Sequence, residues 1–155
     1  MSNTSVNMSG FLALKKQLQA TKIEVGYVDA KNHWWAAKSG HFWPVSALAA
    51  DLHFYSPWAD SFMLSETKYA EINATVQWVL KRNFGKVPFQ VLIKKLGEEL
   101  KDDIVNNIQD VNSPSNNPLW ASYKGFDNPL VFGSEMGYEP NLVSEVSYKI
   151  KGVVF

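Results

Sequence analysis

The 155-residue chain carries fifteen basic and fifteen acidic residues, with 46% hydrophobic and 14% aromatic content, a balance that fits one globular domain able to bury a core without staples. It has no cysteine, which excludes disulfides, thiolate nucleophiles and cysteine-type zinc sites. Its single arginine is Arg82, which argues against a phosphate clamp or a sequence-reading nucleic-acid interface, because both exploit the planar guanidinium fork.

The first eight residues lack a charged stretch followed by an apolar one, so no signal peptide is expected, and no run approaches the length of a membrane span. The expected compartment for folding is a cytoplasm. From Ser9 to Ala20, the spacing of Phe11, Leu12, Leu14 and Leu18 predicts a short helix capped by Ser9, with Lys15, Lys16 and Gln17 in solvent. So short a helix is marginal alone and needs a surface to pack on. Lys22 to Val28 alternates as a strand, with Ile23, Val25 and Tyr27 on one face and Glu24 opposite. From Asp29 to Pro44, Trp34, Trp35, Trp43, His33 and His41 flank a Lys38-Ser39-Gly40 turn, which predicts a β-hairpin with aromatic cross-strand pairs. Val45 to Leu52 is apolar and alanine-rich, and eight residues do not separate a strand from a short helix by period.

Phe54 to Leu64, with Pro57, reads as a packed connection. A second helix follows, capped by Ser65 with Glu66 beside it. It turns Tyr69, Ile72, Val76, Val79 and Leu80 inward and stops at Gly85. A third begins at Pro88, with Phe89, Leu92, Leu96, Leu100, Ile104, Ile108 and Val111 on its apolar face. Gly97 interrupts that face at a cost of about 1 kcal/mol relative to alanine, which fits a kink or the close approach of another backbone. The outer face bears Glu98, Glu99, Asp102 and Asp103. Residues 111–128 then form an extended loop, a length usually functional or disordered. Leu119, Trp120, Tyr123 and Phe126 argue against disorder, so the loop is expected to dock on something. Leu142 to Phe155 reads as one or two strands carrying Val143, Val146, Tyr148 and Ile150. This order predicts an α+β fold: an antiparallel sheet with two central helices packed on one face, and long docking loops, in one domain over residues 1–155.

Chemistry-bearing patterns are weak. His33, His41 and His53 lie eight and twelve residues apart, which is no compact ligand spacing, although His33 and His41 would face each other across a hairpin. Ser39, His41 and Asp51 lack a nucleophile elbow. Asn83-Phe84-Gly85-Lys86 lacks the second glycine and the hydroxyl residue of a phosphate loop. No catalytic residue, metal or cofactor is expected. Trp34, Trp35, Trp43, Trp58 and Trp120 are more telling, since burying five indoles in so small a domain is difficult and interfaces favour such anchors. Two or more are expected at subunit contacts.

The second half carries a resemblance. Pro118-Leu119, Lys124-Gly125, Asp127-Asn128-Pro129-Leu130-Val131, Met136 and the strand-like Val143 to Ile150 resemble the C-terminal half of the tail-completion, or head–tail joining, proteins of tailed bacteriophages. Ile23-Glu24-Val25-Gly26-Tyr27 and Pro44-Val45-Ser46-Ala47-Leu48-Ala49 resemble segments of that family's N-terminal half. The chain departs from the pattern at His53-Phe54-Tyr55, at Pro57 to Phe62, at Trp120 and at Phe132-Gly133-Ser134, which leaves a completion protein and a related tail terminator or neck subunit both open. The resemblance implies a structural, non-enzymatic virion protein assembled in the bacterial host cytoplasm. Its partners would be copies of itself in a cyclic, six-fold ring, together with neighbouring connector and tail proteins. DNA would pass through without specific binding, and no membrane is involved. Expected partner-binding residues are Trp34, Trp35, Trp43, Leu119, Trp120, Tyr123, Lys124 and Phe126, and expected lumen-facing residues are Glu98, Glu99, Asp102 and Asp103. The competing expectation is an aromatic-rich module for a polysaccharide or cell-surface ligand, with a small hydrolase third.

Overall fold

The computed structural model describes residues 8–55, 87–111 and 138–152, together with 61, 69–74, 77, 118, 119, 122, 128 and 130. Its named elements are α1 (Met8–Ala20), β1 (Lys22–Gly26), α2 (Trp34–Lys38), α3 (Val45–Tyr55), α4 (Phe89–Gln109) and β2 (Ser147–Lys151). Residues 69–74 and 77 are also helical. The class is α+β, with β1 and β2 paired antiparallel, Lys22 opposite Lys151 and Gly26 opposite Ser147.

Pairing of the chain's two ends sorts the side chains by face. Ile23, Val25, Tyr148 and Ile150 share one face and are half-buried, while Lys22, Glu24, Lys149 and Lys151 on the other are exposed. A two-stranded ribbon is marginal alone, and α4 covers its apolar side. On the wet side Lys151 pairs with Glu24, and Lys149 with Asp29 at 3.4 Å; exposed pairs like these contribute little. The predicted strand to Val28 stops at Gly26, where φ is 127°, a conformation open to glycine. Tyr27 then turns inward, and its hydroxyl donates to the Leu142 carbonyl at 2.7 Å. The expected strand from Leu142 is likewise shorter. Residues 142–145 form a turn instead, because buried Asn141 accepts through Oδ1 from the Val143 and Ser144 N–H groups, both at 2.9 Å.

Helix α4 runs unbroken, but its buried stripe is Phe89, Ile93, Gly97, Leu100, Ile104 and Ile108. Leu92 and Leu96, expected on that face, are only half-buried. The stripe shifts because the Tyr148 ring lies where a Cβ on Gly97 would stand. Close approach is the right reading of that glycine, made by a side chain rather than by another backbone. Burial first, and then the Glu98 carboxylate that accepts its hydroxyl, raise the Tyr148 pKa.

Val45 to Leu52, undecided by period, belongs to α3, which extends to Tyr55 and so takes in the start of the expected connection. Val45 and Ala49 meet Ile104, Ile108, Val111, Leu130, Leu142 and Val146 in one apolar cluster at the C-terminal end of α4. Helix α1 begins at Met8, so Ser9 lies inside it rather than capping it. In the second predicted helix Tyr69, expected inward, is exposed and Ile72 is half-buried. Its Ser65 cap and Gly85 stop lie outside the described residues.

Two outcomes follow from these contacts. Gly97→Ala gains about 1 kcal/mol of helix propensity but forces a methyl into the Tyr148 ring, an overpacking cost of about 1–3 kcal/mol. Urea melts should show a net loss in the wild-type background and a gain when Tyr148 is already alanine. Burial raises the Tyr27 pKa above its ordinary 10.0, so its contribution to stability is complete below pH 10 and disappears as pH climbs past that value. Alkaline unfolding followed by circular dichroism should be less steep in Tyr27→Phe than in the wild type.

Candidate functional site

The aromatic segment after β1 is not a hairpin. Its ends do meet as an antiparallel bridge between Asn32 and Pro44, but α2 fills the middle. Trp34-Trp35-Ala36-Ala37-Lys38 supplies one helical turn with a cap at each end. At the start, buried His33 accepts the Trp35 N–H on Nδ1 at 3.4 Å. At the finish, Gly40 takes a φ of 74°, its N–H reaches the Ala37 carbonyl at 3.3 Å, and the His41 N–H reaches the Ala36 carbonyl at 2.8 Å. These are the two bonds of a Schellman stop. The Ser39 hydroxyl donates to the Trp35 carbonyl at 2.7 Å, so the serine considered as a nucleophile closes a helix. His33 is buried and His41 exposed, and His53 lies on α3 with its ring edge-on to Phe54 at 5.0 Å. Among the described residues no three His, Asp or Glu side chains gather as a metal site, and no helix is long and apolar enough to cross a membrane.

Asn32 pins the base of this loop. Its Oδ1 accepts from the Trp43 N–H, and its Nδ2 donates to the His41 carbonyl at 2.8 Å. The His33 N–H adds a bond to the Trp43 carbonyl at 3.0 Å. Ala36 is fully buried beneath α2, which leaves its neighbours pointing elsewhere. Trp35 is 54% exposed and Phe42 is 84% exposed, each one residue outside the Ala36–His41 hydrogen bond. Trp34 and Trp43 are half-buried. The Trp34 ring stacks on Tyr138 with centroids 4.7 Å apart, and the Trp34 backbone N–H donates to the Pro140 carbonyl at 3.0 Å.

A second asparagine acts in the same way at the other predicted loop. Asn128 Nδ2 donates to the carbonyls of Ile108, at 3.0 Å, and of Gln109, and its Oδ1 accepts from the Leu130 N–H at 2.8 Å. The chain that leaves α4 at Val111 therefore comes back at Asn128 to the same helix end. Between them Pro118, Leu119 and Ser122 are exposed, Leu119 at 83%. Trp120, Tyr123, Lys124 and Phe126 lie outside the described residues. Both loop bases rest on one apolar cluster, through Val45 after the first and through Ile108, Val111 and Leu130 at the second. The bases of the two segments thus share one core.

The chain matches no known protein-family model, no curated protein and no solved structure.

The acidic set divides around α4. Glu98 and Asp102 are exposed, while Glu99 and Asp103 are half-buried, and Glu98 also accepts the Tyr148 hydroxyl. Sequence reasoning passed over Phe42 and Tyr138 as individual site residues, and over both pinning asparagines. The visible signal was an asparagine at each boundary between polar and aromatic sequence, where its side chain can imitate a backbone turn.

Burial lowers the His33 pKa from 6.5. The neutral ring that caps α2 therefore lends its stability above pH 6.5, and that stability is lost as pH falls. His33→Asn keeps a capping oxygen without a titrating ring. Tryptophan fluorescence across pH 4–8, about two units either side of an ordinary histidine pKa, should show a shallower acid transition in this variant than in the wild type.

Proposed function

We propose that the chain is a non-enzymatic structural subunit that docks on other proteins through the aromatic segments described above. The observation that carries this reading is the presentation of Trp35, Phe42 and Leu119 in solvent on two segments whose bases are fastened to one core. A fastened base lowers the ordering cost of binding, and exposed aromatic side chains of this kind are the anchors that interfaces use. In the first segment the side chains of Asn32, His33 and Ser39 serve caps and turns rather than a reactive group.

The sequence resemblance takes the proposal further, to a ring subunit at the neck of a tailed bacteriophage that joins the tail to the head connector. In that assembly two central helices pack on one face of the sheet, and the segments at 29–44 and 111–128 are the docking loops. Because both bases rest on one cluster, they suit a shared contact with the next protein along the axis better than two separate sideways patches. The ring would be cyclic and six-fold, its channel passing DNA without binding it. A specific observation also favours a second reading: exposed Trp35 and Phe42 offer flat faces on which a sugar ring could stack.

One experiment separates the two. Trp35→Ala with Phe42→Ala removes exposed side chains and should leave the melting temperature within a few degrees. Loss of a hot-spot pair worth about 2 kcal/mol should weaken co-sedimentation with tail particles about 30-fold. Wild-type protein that ignores tails but is retained on immobilised polysaccharide, with retention lost in the double variant, would replace the virion reading with the glycan one.

A further inference from the structure

His33 stands at the node of the first docking segment. Its backbone N–H donates to the Trp43 carbonyl at 3.0 Å and closes the base, and its carbonyl accepts the Ala37 N–H at 2.9 Å, the first bond of α2. Its ring accepts the Trp35 N–H on Nδ1 and leans on the Trp34 ring with centroids 5.6 Å apart. One residue thus ties the base to the turn that carries both indoles. Helix α2 has five residues, too few to persist without contacts at its ends.

The ring can serve in this way only while neutral. Nδ1 accepts because the proton sits on Nε2. A second proton, on Nδ1, sets one N–H against another and places a charge inside the fold, since His33 is only 7% exposed; a buried charge without a counter-ion is strongly unfavourable. The charged groups on the neighbouring segments are few. Lys38 is at the far end of α2, His41 lies on the returning chain, and α3 carries no charged residue before Asp51. On the link from β1, Asp29 pairs with Lys149, and the Lys31 N–H donates to the Glu145 carboxylate at 2.8 Å. Glu139, beside the Pro140 that receives the Trp34 N–H, is exposed. A carboxylate against the ring would raise its pKa, whereas burial lowers it, so none among the described residues supports the charged form.

We infer that protonation of His33 opens the base of the first segment and withdraws Trp35 from its docking position, so that acid releases the protein that docks there. The inference rests on the docking reading proposed above and adds regulation to it. Freed from Trp35, the charged ring reaches water by giving up the Trp43 bond, and the ties at the node fail together. Proton and partner then compete for the same segment, each weakening the binding of the other by the same factor.

The test compares full-length wild type with His33→Asn and His41→Gln at about pH 7.5 and about pH 5, either side of an ordinary histidine pKa. Asparagine caps a helix without titrating, and His41→Gln removes the exposed histidine of the same segment. Co-sedimentation of the wild type with tail particles should weaken about ten-fold at the lower pH, the loss that an equal difference in proton affinity between closed and open segments transmits. His41→Gln should show the same loss, and His33→Asn should bind equally at the two pH values. A second readout needs no partner. In protein labelled with 5-fluorotryptophan, the Trp35 fluorine resonance, identified by its absence from Trp35→Phe, should move with a midpoint below 6.5 in the wild type and in His41→Gln. Those two titrations decide the matter even where His33→Asn does not fold. Wild-type binding that is the same at both pH values, an acid loss that persists in His33→Asn or vanishes in His41→Gln, or a Trp35 resonance that ignores pH would each overturn the inference. Wild type that ignores tails at both values would remove the docking reading, and the resonance then decides the switch by itself.

Discussion

Ile108 is the point on which the structure turns. Its side chain is fully buried among Val45, Leu142 and Val146, and its carbonyl receives the amide of Asn128. A single residue at the end of α4 thus joins the apolar cluster to the return of a long excursion of chain. The last carbonyls of a helix have no partners within it, and leaving them buried and unpaired would cost about 1–3 kcal/mol each. Asn128 satisfies two of them. The helix end is therefore both a core element and an anchor for the segment between Val111 and Asn128.

The same economy governs the other loop. Asn32, His33 and Gly40 convert thirteen residues that read as paired strands into a one-turn helix held at a narrow base. Ala36 enters the interior, and a helical turn then forces the adjacent Trp35 about 100° around the axis and out to solvent. Exposure of the indole is thus a geometric consequence of burying the alanine. A strand pair would have alternated the same residues across two faces, and the outcome would have been different side chains in solvent.

How much of this was legible in the sequence depended on whether the signal was carried by apolar side chains. The α4 helix, the strand at Ile23 and Val25 and the antiparallel closure by Tyr148 and Ile150 all follow from periodicity. Errors came where a residue acts through what it lacks or through its polar tip. Gly97 was expected to admit a kink or another backbone, yet its missing side chain is the space that the Tyr148 ring fills. His33 and Gly40 looked like parts of a hairpin, yet they are the two caps of α2. Ser39 has the chemistry of a nucleophile and the position of a helix stop. The candidate site was partly legible, since Trp35 and Leu119 are as exposed as their surroundings suggested. Trp34 was not, because its stacking partner Tyr138 lies more than a hundred residues away, and no local pattern reports such a distance.

These points bear on why a small chain should hold aromatics in water at all. A solvent-exposed apolar surface is a standing invitation to association, and a net charge near zero does little to oppose it. Here exposed charged side chains stand on other elements: Lys15 and Lys16 on α1, and Lys94, Lys95, Glu98 and Asp102 on α4. Apolar contacts are permissive about partner and register, whereas charged faces reject wrong alignments through like-charge repulsion.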